Sequence, residues 1–182
     1  FFRGFCGLIP ILSLIPRDRY RDFYKTGRPI LHIKRCLSGL IAIVAIFIAL
    51  RKLPLATVVS ISFAAPIFTT LFSIYFLNEK VGLYRWLAVI VGFIGILIIS
   101  EPGFSSLNIY YIYPIIFCFG LSYVAIAIKQ LSSSEPIWLI GFYFSFSIMV
   151  TSLFTIPQGW VMPNFIDLIL LSLIGILGGV AN

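Results

Sequence analysis

Of the 182 residues, 60% are apolar, 16% aromatic and 10% charged, with a mean hydropathy of +1.09. Water-soluble domains hold about 45–50% apolar and about 25% charged residues, and disordered chains are poor in aromatics, so both classes are excluded in favour of an integral membrane protein. The net charge is +7, from 13 Lys and Arg against 6 Asp and Glu, but the cations crowd into one short segment, which marks topology and not a nucleic-acid partner.

The first apolar run is 1–16, and it opens directly on Phe1 and Phe2. Residues 17–35, RDRYRDFYKTGRPILHIKR, read as a polar loop. Apolar runs follow at 36–50, 53–77, 86–100, 110–128, 136–156 and from 165 onward, which makes seven spans. A bilayer core of about 30 Å takes about 20 apolar residues as helix, so the short run 36–50 would need Lys34, Arg35, Arg51 and Lys52 to snorkel. Continuous runs of this kind exclude a transmembrane β-barrel, whose strands alternate over about 10 residues. Short loops make sequential helices antiparallel neighbours. The fold class expected is therefore all-α, a polytopic transmembrane helical bundle. The chain starts on Phe1 and stops within an apolar run at Asn182, so it reads as a piece of a longer protein.

Orientation follows from counting cations on alternate loops. One side collects Arg17, Arg19, Arg21, Lys25, Arg28, Lys34, Arg35, Lys80, Arg85 and Lys129, and the other only Arg51 and Lys52. Ten against two places the 17–35 loop in the cytoplasm, and membrane lipid is the expected surrounding partner.

Chemistry inside a membrane is usually announced by ionisable groups at depth. The acids Asp18, Asp22, Glu79, Glu101, Glu135 and Asp167 all fall in loops or at span ends, and the single histidine, His32, falls in the basic loop. Glu79 and Lys80 read as helix terminators. A zinc protease needs paired ligands such as HExxH, a serine nucleophile needs a base beside it, and a phosphate cradle needs GxxxxGK[ST]. None of these is in the sequence. No catalytic residue, cofactor site or metal site is assigned, and an enzyme is not expected. Cys6, Cys36 and Cys118 stand singly in apolar runs and read as small buried hydrophobes.

The run 53–77, LPLATVVSISFAAPIFTTLFSIYFL, carries the one patterned polar feature. At helical spacing Ser62, Pro66, Thr69 and Ser73 share one face. Pro66 has no amide hydrogen, so the carbonyl of Ser62 loses its helical partner. In lipid that loss is repaired by a neighbour, a hydroxyl or a water-lined cavity. The stripe therefore fits a helix bordering a solvated pocket, and it equally fits hydroxyls bonded back to their own helix or across to a neighbour. On the first alternative these four residues are the candidate substrate-binding set.

Small residues at four-residue spacing occur at Ala88 and Gly92, continued by Gly95, and at Gly175 and Gly179, a GxxxG pair. Such faces serve a contact within one chain or a homo-oligomer alike. Tyr110, Tyr111, Tyr113, Trp86, Trp138 and Trp160 lie near span ends as an interfacial belt would. Tyr123 and Tyr143 sit deeper and are weaker ligand candidates.

Residues 37–46, LSGLIAIVAI, read loosely like 171–180, LSLIGILGGV, as an internal repeat would. More specific is FFR opening a span, then RKLPLATVVSISFAAPIFTTLFSIYFLNEKVGLYRW, GFIGILIIS and a closing EP. On these residues the chain resembles the EamA-type branch of the drug/metabolite transporter superfamily. Within it, FFR, TGRPILHIKR and FLNEK are most similar to the S-adenosylmethionine uptake carriers of intracellular bacteria. The resemblance implies ten spans in a five-plus-five inverted repeat in the inner membrane. Residues 1–102 would then hold spans two to five and 103–182 spans six to eight. It further implies secondary transport of a small-molecule substrate by alternating access, S-adenosylmethionine uptake being one case. A metabolite or drug exporter of the same superfamily and a non-transporting scaffold are the alternatives. Arg3 would pair with an acid, meet an anionic group or snorkel.

Overall fold

The computed structural model describes residues 2–13, 15, 25–99, 109–155 and 163–180, without the side chains of Arg3, Ile96, Leu97, Ile99 and Val180. Arg17, Arg19, Arg21, Asp18, Asp22, Glu101, Trp160 and the 102/103 boundary, all named above, lie outside the described residues. The helices are α1 (Phe2–Ser13), α2 (Pro29–Lys52), α3 (Leu55–Ser62), α4 (Ala65–Leu77), α5 (Leu83–Ile99), α6 (Ile112–Ser132), α7 (Ile137–Leu153) and α8 (Phe165–Val180). A 3-10 turn, Ile109–Tyr111, leads into α6. Among the described residues the structure is all-α, and each of the seven apolar runs is helical. Three stretches, Pro29–Lys52, Leu55–Leu77 and Ile109–Ser132, are long and apolar enough to cross a bilayer, and the remaining apolar helices are shorter.

Helix α2 corrects the reading of 17–35 as loop throughout. It begins at Pro29, so Ile30 to Arg35 are helical. Proline suits the first helical position, where its missing amide hydrogen would be unpaired anyway. The Arg28 carbonyl accepts the first turn's amide hydrogens, from Leu31 at 3.1 Å and His32 at 3.3 Å. His32 and Arg35 are consequently three residues apart on a helix, and both are buried. Arg35 does not snorkel.

The chain divides into two compact units, Phe1–Cys36 with Gln130–Asn182, and Leu37–Lys129. In the first, α1 packs against both α7 and α8. Glycines permit this closeness. A Cβ on Gly4 would stand 2.7 Å from the Met149 backbone nitrogen, and one on Gly179 would stand 2.9 Å from Gly7 Cα. A Cβ on Gly7 would meet the Gly175 carbonyl oxygen at 3.2 Å. The Gly175/Gly179 pair is thus used against α1.

In the second unit, α6 lies close against α2. A Cβ on Gly120 would come within 2.8 Å of Ala42 Cβ, and the Ser38 hydroxyl donates to the Gly120 carbonyl at 3.0 Å. A small core of Ala49, Leu53 and Val58 is covered by Tyr110, Tyr111 and Tyr113. Lys52 Nζ sits 5.4 Å from the Tyr110 ring centre. These tyrosines close a helix end, as belt residues would. Helix α3 touches α5 in the same unit.

Candidate functional site

The helix expected over 53–77 is broken in two. Helix α3 ends at Ser62 and α4 starts at Ala65, with Pro66 in its first turn. Phe63 and Ala64 form the joint, and their amide hydrogens reach back to Ser60 and Ile61 carbonyls at 3.3 and 2.9 Å. Carbonyls at and beside the joint meet α6. Cys118 Sγ lies 3.4 Å from the Ile61 carbonyl and 3.6 Å from that of Ser62, and the Ser122 hydroxyl donates to the Ala65 carbonyl at 2.9 Å.

The stripe hydroxyls are themselves bonded. Ser62 donates to the Val58 carbonyl at 2.7 Å and Ser73 to Thr70 at 2.9 Å. Thr70 donates to Pro66 at 2.9 Å. Thr69 Oγ1 lies 3.0 Å from the Ala65 carbonyl and 3.1 Å from Ser122 Oγ. Their single protons are committed, which leaves each oxygen its lone pairs for a ligand. Such bonds to one's own helix are the packing alternative raised by the sequence.

The same stripe also borders a cavity. Helices α4, α5 and α6 wall about 1020 Å³ of space, and Pro66, Thr69, Thr70 and Ser73 line it, whereas Ser62 does not. Small residues Ala88 and Gly92 on α5 leave the room, since a Cβ on Gly92 would meet nothing within 4 Å. Phe63 and Phe93 supply ring surface.

One end of the cavity is charged. Helix α4 stops where Asn78 turns left-handed, φ 52°, and the Glu79 amide hydrogen returns to the Ser73 carbonyl at 3.3 Å. Asn78 therefore terminates the helix, a step the sequence suggested for Glu79 and Lys80. Glu79 instead lines the cavity, ion-paired with Lys129 of α6 and 3.9 Å from Arg85 of α5. The hydrogen bond from Lys129 holds the Glu79 carboxyl below its ordinary value. Desolvation opposes that shift, and the charges of Lys129 and Arg85 reinforce it.

The other unit contains a buried polar cluster that hydropathy hid. His32, 2% exposed, is paired through Nε2 with Glu135 of the α6–α7 turn and lies 4.5 Å from the Tyr143 ring. Glu135 also accepts from Thr26 and from the amide hydrogens of Gly27 and Arg28, the last two at 2.9 and 3.2 Å. Burial pushes the Glu135 carboxyl up, but hydrogen bonds from His32 and Thr26, with the His32 charge and the Gly27 amide, outweigh it and leave the group below its ordinary value. Arg35, 1% exposed, stacks its guanidinium 4.1 Å from the Phe144 ring centre. Placing His32 in the loop was therefore wrong. The sequence does carry the signal, a Pro that starts a helix and His and Arg three apart, once the helix is begun at Pro29.

Among the described residues no group of three or more His, Cys, Asp or Glu is placed to hold a metal. Cys6, Cys36 and Cys118 are all free and buried.

Comparison with known proteins decides the family. The model of the EamA-like transporter family matches residues 1–101. The chain belongs to the EamA-like transporter family. It is a multi-pass protein of the bacterial inner membrane, as its apolar helices and these relatives show. It is similar to the S-adenosylmethionine uptake transporter of Rickettsia bellii, with 30% identity over 96% of this chain and 60% of the relative. It is likewise similar to a pseudopaline exporter of Pseudomonas aeruginosa, 29% identical over 88% of the chain and 55% of that protein. A riboflavin transporter of Vibrio cholerae is 32% identical over 86% of the chain and 53% of its own length. The chain thus spans under two thirds of the length of these EamA-family relatives. No solved structure matches it significantly.

Proposed function

We propose that the chain serves secondary transport of a small organic metabolite by alternating access, with the solute received in the cavity of α4, α5 and α6. The observation that carries this is a wall made from an interrupted helix. Transporter sites are typically built at discontinuous helices, where unsatisfied backbone is tolerated because it lines a cavity. At about 1020 Å³ the space is ample for a metabolite, given that ligand pockets run about 300–1,000 Å³.

In this reading Thr69 and Ser73 accept hydrogen bonds from the solute, Pro66 keeps the helix broken, and Ser62 holds the joint from behind through its bond to Val58. Residues 1–102 are spans two to five and 103–182 spans six to eight of two inverted repeats. S-adenosylmethionine is the substrate we put first. The Rickettsia relatives named for its uptake support it, and so do the rings of Phe63 and Phe93 in the lining, which suit a sulfonium. The experiment is uptake of labelled S-adenosylmethionine into proteoliposomes of the full-length protein, beside riboflavin and pseudopaline. Accumulation or exchange of S-adenosylmethionine supports the reading, preference for another solute moves the substrate, and no movement of any solute rejects carriage.

A further inference from the structure

Arg35 is the most deeply buried charge among the described residues, at 1% exposure, and its Nε and Nη1 atoms have no hydrogen-bond partner. No carboxylate lies within ion-pair distance of it among the described residues. A guanidinium stays protonated in a protein. Burying such a charge without a counter-ion is costly, and a ring contact such as that with Phe144 offsets only part of that cost. The cost is left open by what surrounds it.

One turn before Arg35, His32 presents a second unpartnered atom. Its Nε2 is engaged by Glu135, while Nδ1 is buried and has no partner among the described residues. Residues three apart share a helix face. That face meets α7 at successive positions, His32 against Tyr143 and Arg35 against Phe144. Among the described residues, three nitrogens on two side chains of this one helix face are therefore unpartnered, although buried polar atoms are nearly always satisfied.

We propose that Arg35 and His32 form a binding site for a single carboxylate of a small organic solute. Arg35 carries one positive charge that no carboxylate meets at ion-pair distance among the described residues, which suits a monoanion better than a phosphate dianion. A carboxylate is a charge-assisted acceptor for the unpartnered Nε–H and Nη1–H donors, and Phe144 backs the guanidinium's flat face. His32 Nδ1 is a further buried polar atom on the same helix face. This site rests on residues of one unit alone and goes beyond the transport reading, which does not use it.

The test is ligand-induced thermal stabilisation of the purified full-length protein, using matched probes with and without the carboxylate. The pairs are N-acetylmethionine against its amide, and S-adenosylmethionine against decarboxylated S-adenosylmethionine. Charge-assisted hydrogen bonds predict about tenfold or more tighter apparent binding of the acid in at least one pair. Arg35→Gln should abolish that preference while leaving any binding of the uncharged partner. Should that variant fail to fold, Arg35→Lys carries the test, because a point charge without the fork should weaken the acid and spare the amide. An acid preference for N-acetylmethionine with no response to S-adenosylmethionine supports the site and counts only against the substrate proposed above. No preference in either pair, or a preference that survives loss of the guanidinium, overturns it.

Discussion

Cys118 Sγ lies 3.6 Å from the Ser62 carbonyl oxygen, the acceptor that Pro66 leaves without an amide partner one turn later. A proline-interrupted helix in lipid must find such a substitute. Here a thiol from α6 supplies it, beside the Ser122 hydroxyl on the Ala65 carbonyl. Cys118→Ser keeps a donor of similar size and should be close to neutral. Cys118→Ala removes it and should cost about 0.6 kcal/mol, the average for interhelical hydrogen bonds in membranes. Reversible unfolding of the two variants in mixed micelles compares them directly. Equal stability of both would mean that the thiol does not support the joint.

The cavity makes a claim about water access. Thr69 and Ala88 line it from α4 and α5, whereas Ser62, on the same stripe as Thr69, lies outside. The three natural cysteines are buried and give little background. Thr69→Cys and Ala88→Cys should therefore react with a hydrophilic thiol reagent many times faster than Ser62→Cys. Added substrate should slow the first two alone. Uniformly slow labelling would show a dry seam in place of a chamber, and would leave the hydroxyls with the helix-bonded role they already fill.

How far the sequence could be read follows from these residues. Continuous apolar runs located all seven helical stretches, because the membrane enforces length and hydropathy together. Pro66 announced the break, since the missing donor is written in the residue itself. The start of α2 was hidden because ILHIKR looks polar, and hydropathy scores His32 and Arg35 as exposed. What buries them is Glu135 and Phe144, more than a hundred residues away, and no local pattern carries that pairing. Likewise the sequence offered Gly175 and Gly179 as a packing face without naming α1 as the partner. The cavity needed three helices to be placed before it could exist.

Glu79 gives the protein an acid-sensitive contact at the cavity end. Its folded-state pKa is depressed, first by the Lys129 hydrogen bond, so its contribution is present above the unfolded carboxyl's pKa and is lost as pH falls through the lower folded value. The pair is partly exposed, with side chains 31% and 59% accessible, so salt should weaken it. Glu79→Gln should reduce stability at neutral pH and narrow its difference from the natural protein as pH falls below the ordinary carboxylate range. Thermal unfolding of both proteins between pH 7 and acid, at low and high salt, checks the sign. A gap that widened on acidification would contradict the ion pair.

Two glycines of the small-residue faces should behave in opposite ways. A Cβ on Gly179 would lie 2.8 Å from Pro10 Cγ and 2.9 Å from Gly7 Cα, so α8 and α1 are already in backbone contact. Gly179→Ala must push the two helices apart, and overpacking of this kind costs about 1–3 kcal/mol. Around Gly92 nothing lies within 4 Å of a built Cβ, and the residue lines the cavity. Gly92→Leu should therefore leave folding intact while filling space that a solute needs. The expected pattern is a lower unfolding temperature with residual transport for Gly179→Ala, and normal stability with reduced uptake for Gly92→Leu. Measuring both properties on both variants separates a packing face from a solute path. A Gly92→Leu protein that transports normally would place the solute elsewhere, because a leucine there projects four carbons into the cavity between α4 and α6.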